Sequence, residues 1–572
     1  MRRRSPATRI ACAALLAHIV LLASCTREIP TATRPAPPPI TATPAATPTH
    51  TLQLDSTPSP RTLRIGWLGT PDDLRPLAQR PSAGDVLLSL LFDHLIYDAL
   101  DNTYSPALAQ SWTSADSGKT WTLELRPGVT THDGQSLTAQ DVAFSLNLYR
   151  DHPGFHYYAG QSQPFESIEA VDDGTVRVTL SQPVANIEAL LHWLPVLPKH
   201  AWETLEIDAT TAIGAQNAVG SGPFIWSQRG SDHIMLRANN TYWMGPPAVD
   251  AVTFRTYPNA DALADALQDG EVDLITQVPV QRIAALRSRD DVQVVTGPRG
   301  SVRSLLFNVS TEEQSTGHPA LRDPLLRLAM AHAVDKQQLI DQVLLAYGMP
   351  GLTILPPALV RWFNADIEDV AFDLQGAEQI LESAGYRDTD DDGFREMPDS
   401  AQLLHLRLFF PAGSASADLE AQMLANWFRQ VGIKVSPQAL DPEALQVACC
   451  PAFDYDLMLW EQDSGPDPAF LLSTLSSAQI GQGINPTGYS NPAYEALYEQ
   501  QALVTDQQER RQMVLQLQEI AFNDRPFVVL YYELAVQAFR KDRFQNWLFV
   551  PSGIVSLVDE RSLWQVEPVP SG

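Results

Sequence analysis

The stretch WTLELRPGVTTHDGQSLTAQDVAFSLNLY, residues 121–149, carries the pattern that decides the fold. From residue 121 to 126, apolar and polar side chains alternate, as in a strand with one buried face. The dipeptides Pro-Gly and Asp-Gly that follow are turn signals. Thr138 is a predicted helix N-cap with Asp141 three residues on, a weak variant of the capping box, and apolar residues then recur at helical spacing. The stretch therefore predicts a strand, a turn and a helix.

The order of the residues in this stretch is more specific than its pattern. Trp-Thr-x-x-Leu-Arg-Pro-Gly-Val, then His-Asp-Gly-x-x-Leu-Thr-Ala-x-Asp-Val-x-x-Ser-Leu, closely resembles the signature of the family 5 extracellular solute-binding proteins. These are the oligopeptide and dipeptide receptors of ATP-binding-cassette importers. Other segments that resemble the same family are residues 105–112, 220–224, 239–243 and 488–497. The resemblance therefore covers roughly the whole of residues 61–572.

The resemblance implies an α/β fold of the periplasmic-binding-protein type II kind, in the large peptide-receptor class, with two lobes and a hinged ligand cleft. The implied limits are 61–298 for lobe I with an extra subdomain at about 100–220, 299–529 for lobe II, and 530–572 for the return to lobe I. The chain would cross between the lobes twice, near 296–299 and near 525–526. Apolar patterning further predicts a helix over 85–97, a strand over 453–460 and a strand over 526–532.

Residues 1–24 have the features of a bacterial lipoprotein signal. Four arginines precede an apolar run over 10–22, which is shorter than the about 20 residues of a spanning helix. The run ends in Leu-Ala-Ser-Cys, which resembles a lipobox and predicts a lipid on Cys25; the alternative is an ordinary secretory signal with an unrelated cysteine. Residues 25–60 are rich in Thr, Pro and Ala and predict a disordered tether, because they lack the apolar content of a core.

The formal net charge of the chain is −28, and removal of the signal arginines makes the mature chain more negative still. This charge argues against nucleic acid and anionic membrane surfaces as ligands, although a solubilising surface is the simpler reason for the acidity. After removal of the signal and lipidation of Cys25, the remaining cysteines are the adjacent Cys449 and Cys450. They are expected either to form a vicinal disulfide or to stay as buried thiols. No cysteine or histidine spacing indicates a zinc site.

An Asp-rich segment could bind calcium. Asp388, Asp390 and Asp392, followed by Gly393, match the start of the calcium loop D-x-D-x-D-G, in which alternating carboxylates converge on a hard cation around a sharp turn. The twelfth position is Asp399, where the motif has Glu. A solvated acidic turn explains the same residues without a metal, so both interpretations stay open.

The resemblance also implies a ligand anchor. In the dipeptide receptors, a carboxylate in a loop after an apolar strand ending in Trp binds the α-ammonium of the peptide. Asp463, three residues after Trp460, occupies that place, with an alignment slip of one residue around Pro466. Trp460 would pack beside the peptide backbone, and Arg361, next to Trp362, would bind the carboxylate end. The alternative is that Asp463 only caps a turn.

The resemblance implies a lipid-anchored, monomeric, extracytoplasmic receptor that closes on a peptide and delivers it to an importer permease, with no required cofactor. The same scaffold could instead bind a non-peptide solute, such as an oligosaccharide, a metal chelate or haem, or could act as a ligand-sensing receptor. An enzyme is disfavoured, because Gly-x-Ser-x-Gly, His-Glu-x-x-His and Cys-x-x-Cys are all absent from the sequence.

Overall fold

The computed structural model describes residues 61–68, 83–98, 103–152, 164–207, 211, 214–465, 467–549 and 560–570. The predicted signal, Cys25 and the tether lie outside these ranges. Among the described residues, no helix combines the length and the apolar character that crossing a membrane requires.

The strands in these ranges, in chain order, are β1 (Thr62–Leu68), β2 (Ile96–Asp98), β3 (Tyr104–Pro106), β4 (Ala109–Ala115), β5 (Thr120–Leu125), β6 (Phe165–Ala170), β7 (Thr175–Leu180), β8 (Phe224–Arg229), β9 (His233–Ala238), β10 (Ala251–Tyr257), β11 (Leu274–Ile275), β12 (Val292–Pro298), β13 (Ser301–Phe307), β14 (Gly348–Pro350), β15 (His405–Pro411), β16 (Lys434–Leu440), β17 (Leu457–Asp463), β18 (Phe527–Arg540), β19 (Phe544–Gln545) and β20 (Glu567–Pro568).

The helices in the same ranges are α1 (Ala83–Leu91), α2 (Ala139–Asp151), α3 (Ile187–Trp193), α4 (Lys199–Trp202), α5 (Ala260–Gln268), α6 (Ile283–Arg287), α7 (Pro324–His332), α8 (Lys336–Val343), α9 (Leu374–Ser383), α10 (Ala415–Gln430), α11 (Pro442–Cys449), α12 (Ala469–Ser473), α13 (Pro492–Gln501), α14 (Gln507–Asp524) and α15 (Glu560–Gln565).

The largest sheet has twelve strands, in the order β16-β15-β17-β13-β18-β11-β1-β10-β9-β8, with β12 and β14 also paired to β18. Strand β18 is therefore the central element of the sheet. It pairs antiparallel with β13 through residues 527–531 and with β12 through residues 534–540. Because β12 and β13 are separated by only two residues, they and β18 form one long ribbon, which we call the crossover ribbon.

The buried apolar side chains fall into separate cores on either side of the middle of this ribbon. Two cores draw their buried members from residues 63–292 and 536–566. Two others draw theirs from residues 302–532. The buried cores therefore change from one half to the other inside β18, around Leu534, whereas the resemblance implied a crossing near 525–526. The change of half lies within a strand because β18 continues without a turn from one half into the other.

A smaller sheet, in the order β4-β5-β7-β6, lies within the span predicted for the extra subdomain. Its strand β5 begins the signature stretch, and α2 ends it, so the predicted strand, turn and helix are confirmed. Trp121, Leu123 and Leu125 of β5 are buried. Helix α2 begins after Thr138, whose N–H donates to Asp141 Oδ2 at 2.8 Å in a complete capping box.

The strand expected over 526–532 is β18, and two further predicted elements also have different limits in the structure. The helix expected over 85–97 ends at Leu91 and is followed by β2, which pairs with β3. The strand expected over 453–460 is β17, which begins at Leu457 and continues through Asp463. Its last three residues are polar, and they remain in the strand because β13 pairs with them as far as Ser301 and Asp463.

The ring of His132 joins the signature to the glycine-rich segment 220–224. Its Nδ1 accepts a hydrogen bond from the Gly220 N–H at 3.1 Å, and its Nε2 lies 3.1 Å from the Gly222 carbonyl oxygen. A Cβ on Gly220 would lie 1.9 Å from the Leu91 carbonyl oxygen, so only glycine allows this approach. Burial lowers the pKa of His132 to about 4, which keeps the ring neutral, as its accepting Nδ1 requires.

This histidine should make the stability of the protein depend on pH. The folded-state pKa of about 4 lies below the usual value of 6.5. Between pH 6.5 and pH 4 the unfolded chain therefore binds a proton that the folded chain does not, and the free energy of unfolding falls, by about 3 kcal/mol from this residue. We expect His132→Asn to be less stable at pH 7 but to lose less stability on acidification. Urea unfolding at pH 7 and pH 4.5 measures this; parallel pH curves for the two proteins would contradict it.

Candidate functional site

The end of β17 lies beside the middle of the crossover ribbon. Asp463 pairs across from Ser301, and Glu461 pairs across from Arg303. On the other strand of the ribbon, the Arg299 N–H donates to the Glu533 carbonyl oxygen at 3.0 Å. The register therefore brings Glu461, Asp463, Arg299 and Glu533 to the place where the chain passes between the halves, although they come from three distant parts of the sequence.

These four side chains form an ionic group, which we call the crossover cluster. Arg299 Nη1 lies 3.1 Å from Glu533 Oε2, while the nearest guanidinium nitrogens lie 3.9 Å from Glu461 and 4.0 Å from Asp463. One guanidinium thus faces three carboxylates, so the cluster has an excess of negative charge. Partial burial and the charge of Glu533 raise the pKa of Glu461, and Arg299 opposes this shift.

The carboxylate of Asp463 is open to a ligand. Its side chain is 60% exposed. Within the described ranges, its ion-pair partner is the Arg299 guanidinium at 4.0 Å, and no residue donates a hydrogen bond to its carboxylate. Asp463 is the last residue of β17. Its role as a ligand anchor stays a prediction, and so does the alternative in which it only caps a turn.

The sheet beneath the crossover cluster is fixed by a buried polar network. Arg303 Nε donates to Glu420 Oε2 at 2.9 Å, and the Tyr531 hydroxyl donates to Glu420 Oε1 at 2.5 Å. Glu420 reaches the sheet from α10 and is 1% exposed. Burial raises the pKa of Tyr531, so its hydroxyl remains a donor. Breaking such a buried pair costs about 3–5 kcal/mol, which makes this network a rigid support.

The other predicted ligand residues lie in a different environment. Trp362 is 3% exposed and belongs to the core of the second half, against which Trp460 also packs. The Arg510 guanidinium covers the Trp362 ring at 4.9 Å and forms two hydrogen bonds to Asp467, at 2.6 and 2.8 Å. In this conformation the Trp362 ring is a core group, and it would have to move to contact a ligand.

Arg361 lies beside this core. Its guanidinium lies 5.4 Å from the centre of the Trp362 ring, and its carbonyl oxygen accepts a hydrogen bond from Arg511. The structure therefore brings Arg361 and Trp362 together, but it places Asp463 in a separate ionic group. The ligand contacts of Arg361, Trp362, Trp460 and Asp463 stay predictions. Arg299, Glu461 and Glu533 were missed, because no local pattern links them.

The two halves also touch away from the crossover ribbon. The Ala185 N–H donates to the Ala502 carbonyl oxygen at 3.0 Å, and Gln507 Nε2 lies 3.4 Å from the Ala185 carbonyl oxygen. A Cβ added to Gly118 would lie 2.6 Å from the Thr505 methyl group. Thus the halves also meet here, away from the ribbon.

The Asp-rich segment lies between α9 and β15. The structure brings Asp388, Asp390 and Asp392 together, with one oxygen of each within 4.8 Å of the others. Backbone N–H groups of the turn already bond these carboxylates; that of Gly393, for example, donates to Asp388 at 2.9 Å. The arrangement is therefore compatible with a cation and also with the solvated acidic turn, and calcium binding stays a prediction. Elsewhere in the same half, Cys449 and Cys450 are joined as a disulfide.

Comparison with known proteins identifies the class. The family model described as bacterial extracellular solute-binding proteins, family 5 Middle, matches residues 103–482. The oligopeptide-binding protein AppA of Bacillus subtilis is 25% identical over 482 residues, with 82% of this chain and 86% of AppA covered. Heme-binding protein A of Haemophilus influenzae is 28% identical over 447 residues, with 74% and 78% covered.

The crystal structure of a periplasmic oligopeptide-binding protein from Thermotoga maritima superimposes with a TM-score of 0.76 at 22% identity, covering 89% of this chain and 99% of that one. This likeness shows that the fold is the two-lobed type II fold of the large periplasmic receptors, as predicted. The chain belongs to family 5 of the bacterial extracellular solute-binding proteins. Relatives in this family are named as binding proteins, which at the level of the family argues against an enzyme.

Calcium binding to the Asp-rich turn should stabilise the folded protein, because a ligand that binds only the folded state shifts the equilibrium by mass action. At a calcium concentration one hundred times the dissociation constant, the gain is about 2.7 kcal/mol. We expect a higher melting temperature in calcium than in chelator, and loss of this shift in Asp390→Asn. Asp391→Asn, in the same turn but outside the group of three, is the matched control. Identical melting curves with and without calcium would leave the solvated turn as the explanation.

Proposed function

We propose that this protein captures peptides outside the cytoplasm and delivers them to the permease of an ATP-binding-cassette importer. The observation that carries the proposal is the crossover cluster, in which the exposed carboxylate of Asp463 lies at the junction of the two halves and accepts no hydrogen bond from any described residue. The carboxylate would bind the α-ammonium of the peptide. The similarity to an oligopeptide-binding protein supports the same ligand class.

A carboxylate suits this task for a physical reason. Peptides differ in their side chains, but each one offers a backbone and two charged ends. A receptor for many peptides should therefore bind the ends firmly and the side chains loosely. An ammonium enclosed in a cleft without a partner would be costly, and a carboxylate removes that cost. At the other end of the peptide, Arg361 is the proposed partner of the carboxylate, with Trp460 and Trp362 along the backbone.

Closure of the two halves would complete the site. The crossover ribbon is the natural hinge, because it contains both passages of the chain between the halves. The contact of Ala185 with Ala502 would form on closure. A non-peptide solute is the second candidate, since one relative is named for haem binding. Mass spectrometry of co-purifying small molecules would separate these candidates.

Retention at the membrane completes the proposed function. Cleavage before Cys25 and lipidation of its thiol would anchor a monomeric receptor, and the tether over 25–60 would let it reach the permease. Two or more acyl chains suffice for stable anchoring, at about 0.8 kcal/mol per buried methylene. No cofactor is required by this mechanism, and calcium at the Asp-rich turn would act only on stability.

Asp463→Asn should weaken the binding of peptides with a free amino terminus. Asn preserves the shape of the side chain but removes the charge that pairs with the ammonium. Because Asp463 is largely exposed before a ligand covers it, we expect a loss of about ten-fold or more, which corresponds to about 1.4 kcal/mol. Titration calorimetry with Ala-Ala-Ala and its N-acetylated form measures the effect.

The matched control for this test is Asp261→Asn, since Asp261 is also exposed and lies 3.8 Å from an arginine in the first half. It should bind both peptides as the wild type does. The anchor would be refuted if Asp463→Asn bound Ala-Ala-Ala as tightly as wild type, or if wild type bound the free and acetylated peptides equally.

Cys25→Ala should release the protein from membranes, because the variant has no thiol to carry the lipid. Expressed in a bacterium with lipoprotein processing, the wild type should sediment with membranes and label with a radioactive fatty acid. The variant should do neither. Ser24→Thr alters the neighbouring residue without removing the thiol and serves as the control. Membrane retention of the alanine variant at the level of wild type would contradict the anchor.

A further inference from the structure

Arg299 is the one cation of the crossover cluster, and its contacts are unequal. Its guanidinium lies 3.1 Å from Glu533, within hydrogen-bond distance, but 3.9 and 4.0 Å from Glu461 and Asp463. At those two distances the attraction is ionic without a hydrogen bond. Arg299 is thus held by Glu533 and only loosely by the carboxylate that we assign to the ammonium.

The backbone at this point is held by hydrogen bonds, whereas the arginine side chain is about half exposed. The Ser464 N–H donates to the Gly300 carbonyl oxygen at 2.6 Å, which ties the step between β12 and β13 to the end of β17. A Cβ on Gly300 would lie 2.8 Å from Ser464 Oγ, so glycine permits this close approach. The Arg299 side chain is 46% exposed. Its long stem can therefore move the guanidinium while the backbone stays beside Asp463.

The position of the guanidinium matters for a ligand. Glu461 and Asp463 are two residues apart on one strand and therefore project from the same face of the sheet. The guanidinium lies within 4 Å of both. An ammonium that binds Asp463 would approach this positive charge, and like charges repel at such distances. Because Glu533 remains as an acceptor, Arg299 can give up Asp463 without becoming unpaired.

We propose that Arg299 is a specificity-determining residue of the amine site: it occupies the second cation position between Glu461 and Asp463, so that a second positive charge on the ligand has to compete with its guanidinium. This inference rests on the proposed function, because it takes Asp463 as the ammonium anchor. It assigns as preferred ligands peptides whose first side chain is uncharged. Peptides that begin with Lys or Arg bring a second cation, which would compete with Arg299 for Glu461.

The test compares three peptides and four proteins by titration calorimetry. The peptides are Ala-Ala-Ala, Lys-Ala-Ala and N-acetyl-Ala-Ala-Ala. The proteins are wild type, Arg299→Gln, Arg299→Lys and Arg289→Gln. Arg289 is a matched control, because it forms an ion pair with Asp291 at 2.7 Å and is not one of the four residues of the crossover cluster. Melting curves of all four proteins report whether the fold is intact.

Loss of the Arg299 charge should strengthen peptide binding, and the gain should grow with the number of positive charges on the first residue of the peptide. In Arg299→Gln we expect Ala-Ala-Ala to bind about three- to ten-fold tighter, Lys-Ala-Ala to gain more, and the acetylated peptide to stay unchanged. These gains should shrink between low and high salt, because exposed charges are screened. Arg299→Lys retains the positive charge and should bind the three peptides as wild type does. Arg289→Gln should also bind them as wild type does.

Weaker or uniformly altered binding of the three peptides by Arg299→Gln would overturn the proposal, because a merely structural residue would affect them alike. So would an equal gain for Lys-Ala-Ala and Ala-Ala-Ala. The anchor and this inference fail in different ways. If wild type does not distinguish the free from the acetylated peptide, the anchor is wrong. If wild type distinguishes them but Arg299→Gln does not tighten free-amine binding, only the role of Arg299 is wrong.

Discussion

The pairing of β18 with β12 and β13 is the constraint on which the rest of the structure depends. A strand that crosses from one core to another must keep its backbone hydrogen bonds satisfied over its whole length. Strand β18 does so over 14 residues by pairing first with β13 and then with β12. Between the cores, the residues that pair with β18 are not covered by apolar side chains on both faces of the sheet. Charged side chains are therefore tolerated there. The crossover cluster occupies this interval.

The two arginines that flank Ser301 show how position along the ribbon decides the role of a side chain. Arg303 is 7% exposed and forms an ion pair with Glu420 of α10, whereas the side chain of Arg299, four residues earlier, is 46% exposed. A buried charge pair is rigid because separating it leaves an unpaired charge in a poorly polarisable interior. An exposed pair contributes about 0–1 kcal/mol and rearranges readily. The ribbon thus carries a rigid ion pair, Arg303 with Glu420, and an exchangeable one, Arg299 with Glu533, only four residues apart.

What could be predicted from the sequence was local. The alternation in β5, the N-cap at Thr138 and the turn glycines lie within about ten residues of their partners, so the signature stretch predicted its own structure. The crossover cluster depends on pairs such as Ser301 with Asp463 and Arg299 with Glu533, which are more than 150 residues apart. The polar end of β17 and the length of β18 follow from the same pairings. Side-chain patterning therefore predicted both strands but not where they end. Asp463 was found by resemblance alone.

The contact between the halves suggests how ligand binding and closure are balanced. Besides the ribbon, the described contacts between the halves include the two hydrogen bonds of Ala185 and the packing of Gly118 on Thr505. Each hydrogen bond contributes only about 0.5–1.5 kcal/mol net, so contacts of this kind favour closure weakly. A ligand shifts a conformational equilibrium only by its difference in affinity for the two states. Because the free-energy difference between the open and closed states is small, a modest free energy of ligand binding decides between them. The crossover ribbon is the proposed hinge and carries Arg299, so the ligand would act at the hinge itself.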